Sequence, residues 1–180
     1  MARRIFKSDL SISGIENLKK QIIDYQENIL PNKAREFVER LLERGEEVAK
    51  IKIAQSPLGK YVTVTTNVSP EKAGCKGMLI AVGEVKQSED FEPFSTLLAI
   101  EFGSGIYHNP ISNPYADKLG FGVGTFPGQI HAFEDGWYYW DDTEEKWKYT
   151  HGVKATMPMY EASMAIQEEY YIIAKEVFSK

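Results

Sequence analysis

The sequence holds one cysteine, Cys75, so no disulfide can form within the chain. With Gly74 before it and Lys76 and Gly77 after it, Cys75 reads as an incidental loop thiol rather than a nucleophile. Long apolar runs are also missing. None approaches the ~20 residues of a membrane helix, and the charged opening Met1-Ala2-Arg3-Arg4 leads into no apolar signal segment. Synthesis in a cytoplasm, with no membrane partner, is the expectation. Positive charge is scarce as well: the formal net charge is −5. A surface of that sign repels phosphate, and Arg3, Arg4 and Lys7 form too short a basic run to bind nucleic acid specifically.

Catalytic patterns are equally thin. No glycine-rich loop ends in Lys-Ser/Thr, and no nucleophile elbow occurs. Gly122-Val-Gly-Thr-Phe126 lacks a following strand–turn–helix and reads as loop. His108, His131 and His151 are far apart, and none is paired at metal-ligand spacing. No cofactor and no metal are expected. The acidic residues Glu89, Asp90, Glu92, Glu134, Asp135, Asp141, Asp142, Glu144 and Glu145 fall in turns, where carboxylates are usually solvated.

What is present is a well-patterned chain. Hydrophobic residues make up 43% and charged residues 26% of its 180, enough for one domain with its own core, spanning 1–180. Ser13 followed by Glu16 has capping-box spacing, and Ile15, Leu18, Ile22, Tyr25 and Ile29 then share a helical face. Pro31 should interrupt that helix. A second helix is expected from about Lys33 to about Ile53, with Ala34, Phe37, Val38, Leu41, Gly45, Val48 and Ala49 inward. Glu36/Arg40 and Glu46/Lys50 stand at pairing distance on its wet face.

Tyr61–Val68 is a β-branched strand, and Val62, Val64, Thr66 and Val68 share one side. A loop through Pro70, Gly74 and Gly77 leads to its expected partner, Met78–Val85. A third apolar run, Phe94–Phe102, stops at Gly103, and a glycine- and proline-rich loop reaches Gln129. Trp137–Tyr149 reads as a hairpin turning over Asp141–Lys146, and a last helix begins near Pro158. In that helix Met159, Ala162, Ile166, Tyr170, Ile173 and Val177 point inward, and Glu161, Glu168 and Lys175 outward.

The expected fold is α+β: a small, mostly antiparallel sheet packed by a long helix and a C-terminal helix, with the long loop and the aromatic hairpin as appendages. Leu41, Val48, Val64, Ile80, Ile166 and Ile173 are the expected core. Because strand side chains alternate, packing one side of the hairpin leaves either Tyr138 and Trp140 or Trp137 and Tyr139 outward. Such rings could equally pin the hairpin together, meet a protein, or stack on sugars.

Two segments carry a resemblance. Leu97-Leu-Ala-Ile-Glu-Phe-Gly-Ser-Gly-Ile106 resembles the Glu-Phe-Gly-Thr-Gly signature of the siphophage tail-component family, which comprises the lambda minor tail protein Z type and related head–tail joining proteins. Thr150-His-Gly-Val-Lys-Ala-Thr-Met-Pro-Met-Tyr-Glu-Ala162 is similar to the stretch that opens the family's final helix. The hairpin between them and the order of elements agree over most of the chain from about Ile15. Ser56-Pro-Leu-Gly-Lys60 is shorter than the corresponding family segment, and the family's phenylalanine is either replaced by Met159 or displaced.

The resemblance implies a non-enzymatic virion protein, made in the host cytoplasm, that completes the tail or joins it to the head. It implies a homo-oligomeric ring, sixfold, against neighbouring neck and tail proteins. The interface candidates are then Glu101, Phe102, Gly103, Gly105, Phe121, Phe126, Trp137, Trp140 and Trp147. For Glu101 and Gly103 an internal role in turning the chain competes evenly with contact. The alternative from another class is a small hydrolase or carbohydrate-binding protein using the aromatic hairpin and nearby carboxylates.

Overall fold

The structure, a computed structural model, describes residues 6–9, 11–71, 74–86, 94–104, 137–141 and 144–179. Helix α1 covers Ile12–Asp24, a π turn Tyr25–Ile29, and helix α2 Leu30–Ala54. The cap of α1 is Ser11, not Ser13: the Ser11 hydroxyl accepts from the Gly14 amide at 3.0 Å. Asp9 decides between the two serines, because its carboxylate accepts from both the amide and the hydroxyl of Ser11.

Nor does Pro31 break the helix. The Leu30 amide donates to the Tyr25 carbonyl, five residues back, and this wider turn just ahead of the ring lets the helical path continue. The Asn32 side chain donates to the Asn28 carbonyl at 2.7 Å, satisfying an oxygen on the same stretch. Along α2, Glu46 pairs with Lys50 at 2.8 Å as its spacing suggests. Arg40 instead reaches Glu176.

A 3-10 turn, Gly59–Tyr61, leads into strands β1, Val62–Glu71, and β2, Gly74–Gly83, which pair as a hairpin. Both strands run through the expected loop at Pro70, Gly74 and Gly77, and Cys75 lies within β2 rather than in a loop. Its thiol donates to the Ser69 carbonyl at 3.4 Å. Strands β3, Val85–Lys86, and β4, Phe94–Ser95, form a short antiparallel pair. Helix α3, Thr96–Phe102, follows directly. Strands β5, Trp137–Asp141, and β6, Lys146–Thr150, make the expected aromatic hairpin, and helix α4, Pro158–Phe178, starts at the expected proline. The fold is α+β, with the described strands in two-stranded antiparallel pairs.

Two compact units divide the chain. The first comprises Met1–Gly45, Thr66–Leu79 and Ala165–Lys180. In it Leu42, Ile173 and Val177 are buried, and Phe37 meets the Tyr170 ring edge-on at 5.4 Å. Arg44 pairs with Glu169 at 2.7 Å, and the Lys33 ammonium donates to the Val177 carbonyl at 2.8 Å. Gly77 brings β2 close to α2: a methyl group there would lie 2.5 Å from Val38 Cγ1 and 2.9 Å from Leu42 Cδ1.

The second unit comprises Glu46–Thr65 and Ile80–Met164. Its centre is Ile53, Val62 and Ile100, with Leu58, Val64 and Leu97 packed around them. Ala49, Ala99, Phe102 and Ala162 are also buried. Of the six expected core residues, Ile173 is buried and Leu41, Val48, Val64 and Ile166 are half-buried. Ile80 is exposed: β2 turns Leu79 and Ala81 inward, so Met78, Ile80 and Val82 face out. On α4, Tyr170 is exposed despite its ring contact.

Candidate functional site

The two segments that carry the resemblance are bonded to each other within the second unit. Helix α3 is capped by Ser95, whose hydroxyl accepts from the Leu98 amide at 3.4 Å, and it ends on the buried residues Glu101, Phe102 and Gly103. Helix α4 begins at Pro158, which has no amide proton to satisfy. The next two amides, of Met159 and Tyr160, donate to the Glu101 carboxylate at 2.9 and 3.0 Å. The Glu161 amide donates to the Met157 carbonyl at 2.9 Å, so the whole first turn of α4 is accounted for. A negative charge also suits a helix amino terminus.

Further bonds lace the same junction. The Ser104 amide donates to the Val153 carbonyl, and the Val153 amide returns to the Ser104 hydroxyl, both at 2.8 Å. The Thr156 amide donates to the Ile100 carbonyl at 2.9 Å. Gly103 has φ 77° and ψ 173°, a combination essentially reserved for glycine. Burial holds the Glu101 carboxyl above its ordinary range, and the two amides only partly offset this. Glu161 nearby adds a smaller push in the same direction as burial.

The β5–β6 hairpin is the second feature. Its register sets Tyr138 opposite Tyr149 and Trp140 opposite Trp147, so these four positions share a face. On this face Tyr138 is 67% and Trp147 65% exposed. Tyr138 meets Tyr149 edge-on at 5.1 Å, and Tyr149 meets His151 at 5.1 Å. The opposite face carries a charge cluster. Lys148 pairs with Asp141 at 2.7 Å and with Glu144, and Lys146 also pairs with Glu144. Asp141 first, then Glu144, pushes the Lys148 ammonium well above its usual value, and the lysines lower Glu144.

Among the interface candidates, Glu101, Phe102 and Gly103 thus lie buried in the junction, and Trp147 lies exposed on the hairpin. Trp137 and Trp140 are placed in β5 by their backbone on opposite faces. Gly105, Phe121 and Phe126 lie outside the described residues, as do most of the glycine- and proline-rich loop, His108 and His131. Among the described residues no three histidine, cysteine, aspartate or glutamate side chains gather as a metal site. No described helix is long and apolar enough to cross a membrane.

Sequence reading missed the structural office of Glu101. Its partners lie 58 and 59 residues further along the chain, and no local spacing signals such a cap. Comparison with known protein families, with curated proteins and with solved structures finds no match.

Proposed function

We propose that this chain is a structural virion protein of a tailed bacteriophage, completing the tail or joining it to the head by ring-shaped self-assembly. The virion setting comes from the resemblance of Leu97–Ile106 and Thr150–Ala162 to the tail-component family. The assembly role rests chiefly on one observation: large apolar side chains stand in solvent on α1 and on one face of the β5–β6 hairpin. Surfaces of that kind usually mark protein contacts. A part with this role works by packing, so the reading asks for no catalytic group. Negative-stain electron microscopy of the purified protein should reveal rings, and phage lacking the protein should accumulate unjoined heads and tails. Monomers at every concentration, together with infectious particles lacking the protein, would overturn the reading.

A second reading draws on Tyr138, Trp147 and Tyr149, since exposed rings in a row also suit stacking on sugars. Binding to bacterial cell-wall polysaccharide that is abolished by Trp147→Ala would favour it.

A further inference from the structure

Helix α1 buries none of its residues, and its outward side is apolar: Ile12 is 81% and Ile15 53% exposed, and Ile22 and Ile23 are also exposed. Helical spacing sets Lys19 in the middle of these four isoleucines. Lys19 is exposed and has no ion-pair partner among the described residues.

Helix α4 carries a similar frame in which Glu168 takes the place of Lys19, with exposed Lys175 on the same side two turns further on. Tyr171 is 62% and Ile172 56% exposed, on the outward side that Glu168 shares. Glu168 is exposed and likewise unpaired among the described residues, although its neighbours Glu169 and Glu176 are engaged by Arg44 and Arg40. The spacing is the same in both helices. Lys19 precedes Ile22 and Ile23 by three and four residues, and Glu168 precedes Tyr171 and Ile172 by three and four. Two helices laid side by side in parallel would bring lysine to glutamate and apolar pair to apolar pair.

The two faces differ in sequence, so a contact between them is head-to-tail and leaves one of each free on every pair. Contacts of that type propagate, closing into a ring where the rotation between copies allows it and running on as a filament where it does not. We propose that the exposed face of α1, centred on Lys19, docks on the Glu168–Tyr171–Ile172 face of α4 in a second copy of this chain. The inference rests on the self-assembly proposed above and names the surface through which it occurs.

Sedimentation velocity of the full chain over a concentration series, at low and high salt, tests it. Lys19→Glu and Glu168→Lys each place like charges across every contact and should weaken association roughly tenfold or more. The double variant restores opposite charges and should associate like the parent. Lys20→Glu makes the same change in net charge about 100° around the helix from Lys19, toward the edge of this face, and should weaken association far less than Lys19→Glu. Ile23→Ser and Ile172→Ser, on the same two faces, should weaken it at all salt concentrations. Circular dichroism verifies that each variant is folded. If the parent chain associates but the Lys19 and Glu168 variants match it, or the double variant fails to recover, this interface is wrong and self-assembly stands. If the parent chain stays monomeric throughout, both fail.

Discussion

Glu101 closes the first turn of α4 from outside the helix: its Oε1 accepts the Tyr160 amide proton at 3.0 Å, across 59 residues of sequence. Its other oxygen takes the Met159 amide, so a single side chain serves two helix amides that have no partner in the helix itself. Replacing Glu101 with alanine leaves both amides unpaired in a buried place. Each such loss carries a penalty of about 1–3 kcal/mol, partly offset by no longer burying a carboxylate. Glu101→Ala should therefore destabilise the fold by about 2–3 kcal/mol by that reckoning, read as a lower urea midpoint at neutral pH. A midpoint unchanged from the parent would mean that α4 caps itself by another route.

The same carboxyl has a distinct pH signature. Burial raises its folded value above the ordinary 4.5, so the folded chain keeps a proton that the unfolded chain has already released. Unfolding then releases a proton, and stability from this group falls as pH climbs from about 4.5 through the raised folded value. Glu101→Gln cannot titrate. The stability of the parent minus that of Glu101→Gln should decline with pH across this window and level off above it. A difference that grows with pH would mean that the two amides outweigh burial.

Gly103 supplies the turn by which the chain leaves α3, at φ 77° and ψ 173°. A methyl group at those angles clashes with the backbone whatever the space around it. Gly103→Ala should destabilise by about 1–3 kcal/mol, seen in denaturant or thermal unfolding. A negligible effect would show that the turn can relax to ordinary angles.

Much of the architecture was legible because it is locally encoded. Pro158 is tolerated at a helix start and nowhere further in, so the beginning of α4 could be read directly. The β5–β6 hairpin was legible because acidic turn residues separate two aromatic runs. The phase of β2 was not. Met78-Leu79-Ile80-Ala81-Val82 is apolar at every position, so no alternation tells which residues face inward. Ser13 carries the capping-box glutamate and Ser11 does not, yet the fold-back of Asp9 makes Ser11 the cap. At Pro31 the rule about proline was sound, but the π turn ahead of it absorbs the ring. Glu101 was legible as a signature residue, yet its office depends on a segment that reaches it only in the folded chain.

The hairpin face yields the prediction that bears most directly on function. Tyr138 and Trp147 are about two-thirds exposed, so their truncation removes little buried area. The edge-on contact between Tyr138 and Tyr149 contributes about 0.5–1.5 kcal/mol in pairs of this type. Trp147→Ala and Tyr138→Ala should accordingly leave the unfolding free energy within about 1.5 kcal/mol of the parent. Buried at a contact, such rings are the residues whose loss is felt most, often by 2 kcal/mol or more, or roughly thirtyfold in affinity. If the proposed joining role holds, head–tail joining reconstituted from purified heads, tails and this protein should require far more of the Trp147→Ala protein, although it remains folded. The charged side of the same hairpin provides the control: Lys146→Ala disturbs only a solvent-exposed pair with Glu144 and should join as the parent does. If Trp147→Ala and Lys146→Ala behave alike, the aromatic face has no part in joining, and its rings serve only to hold the two strands together.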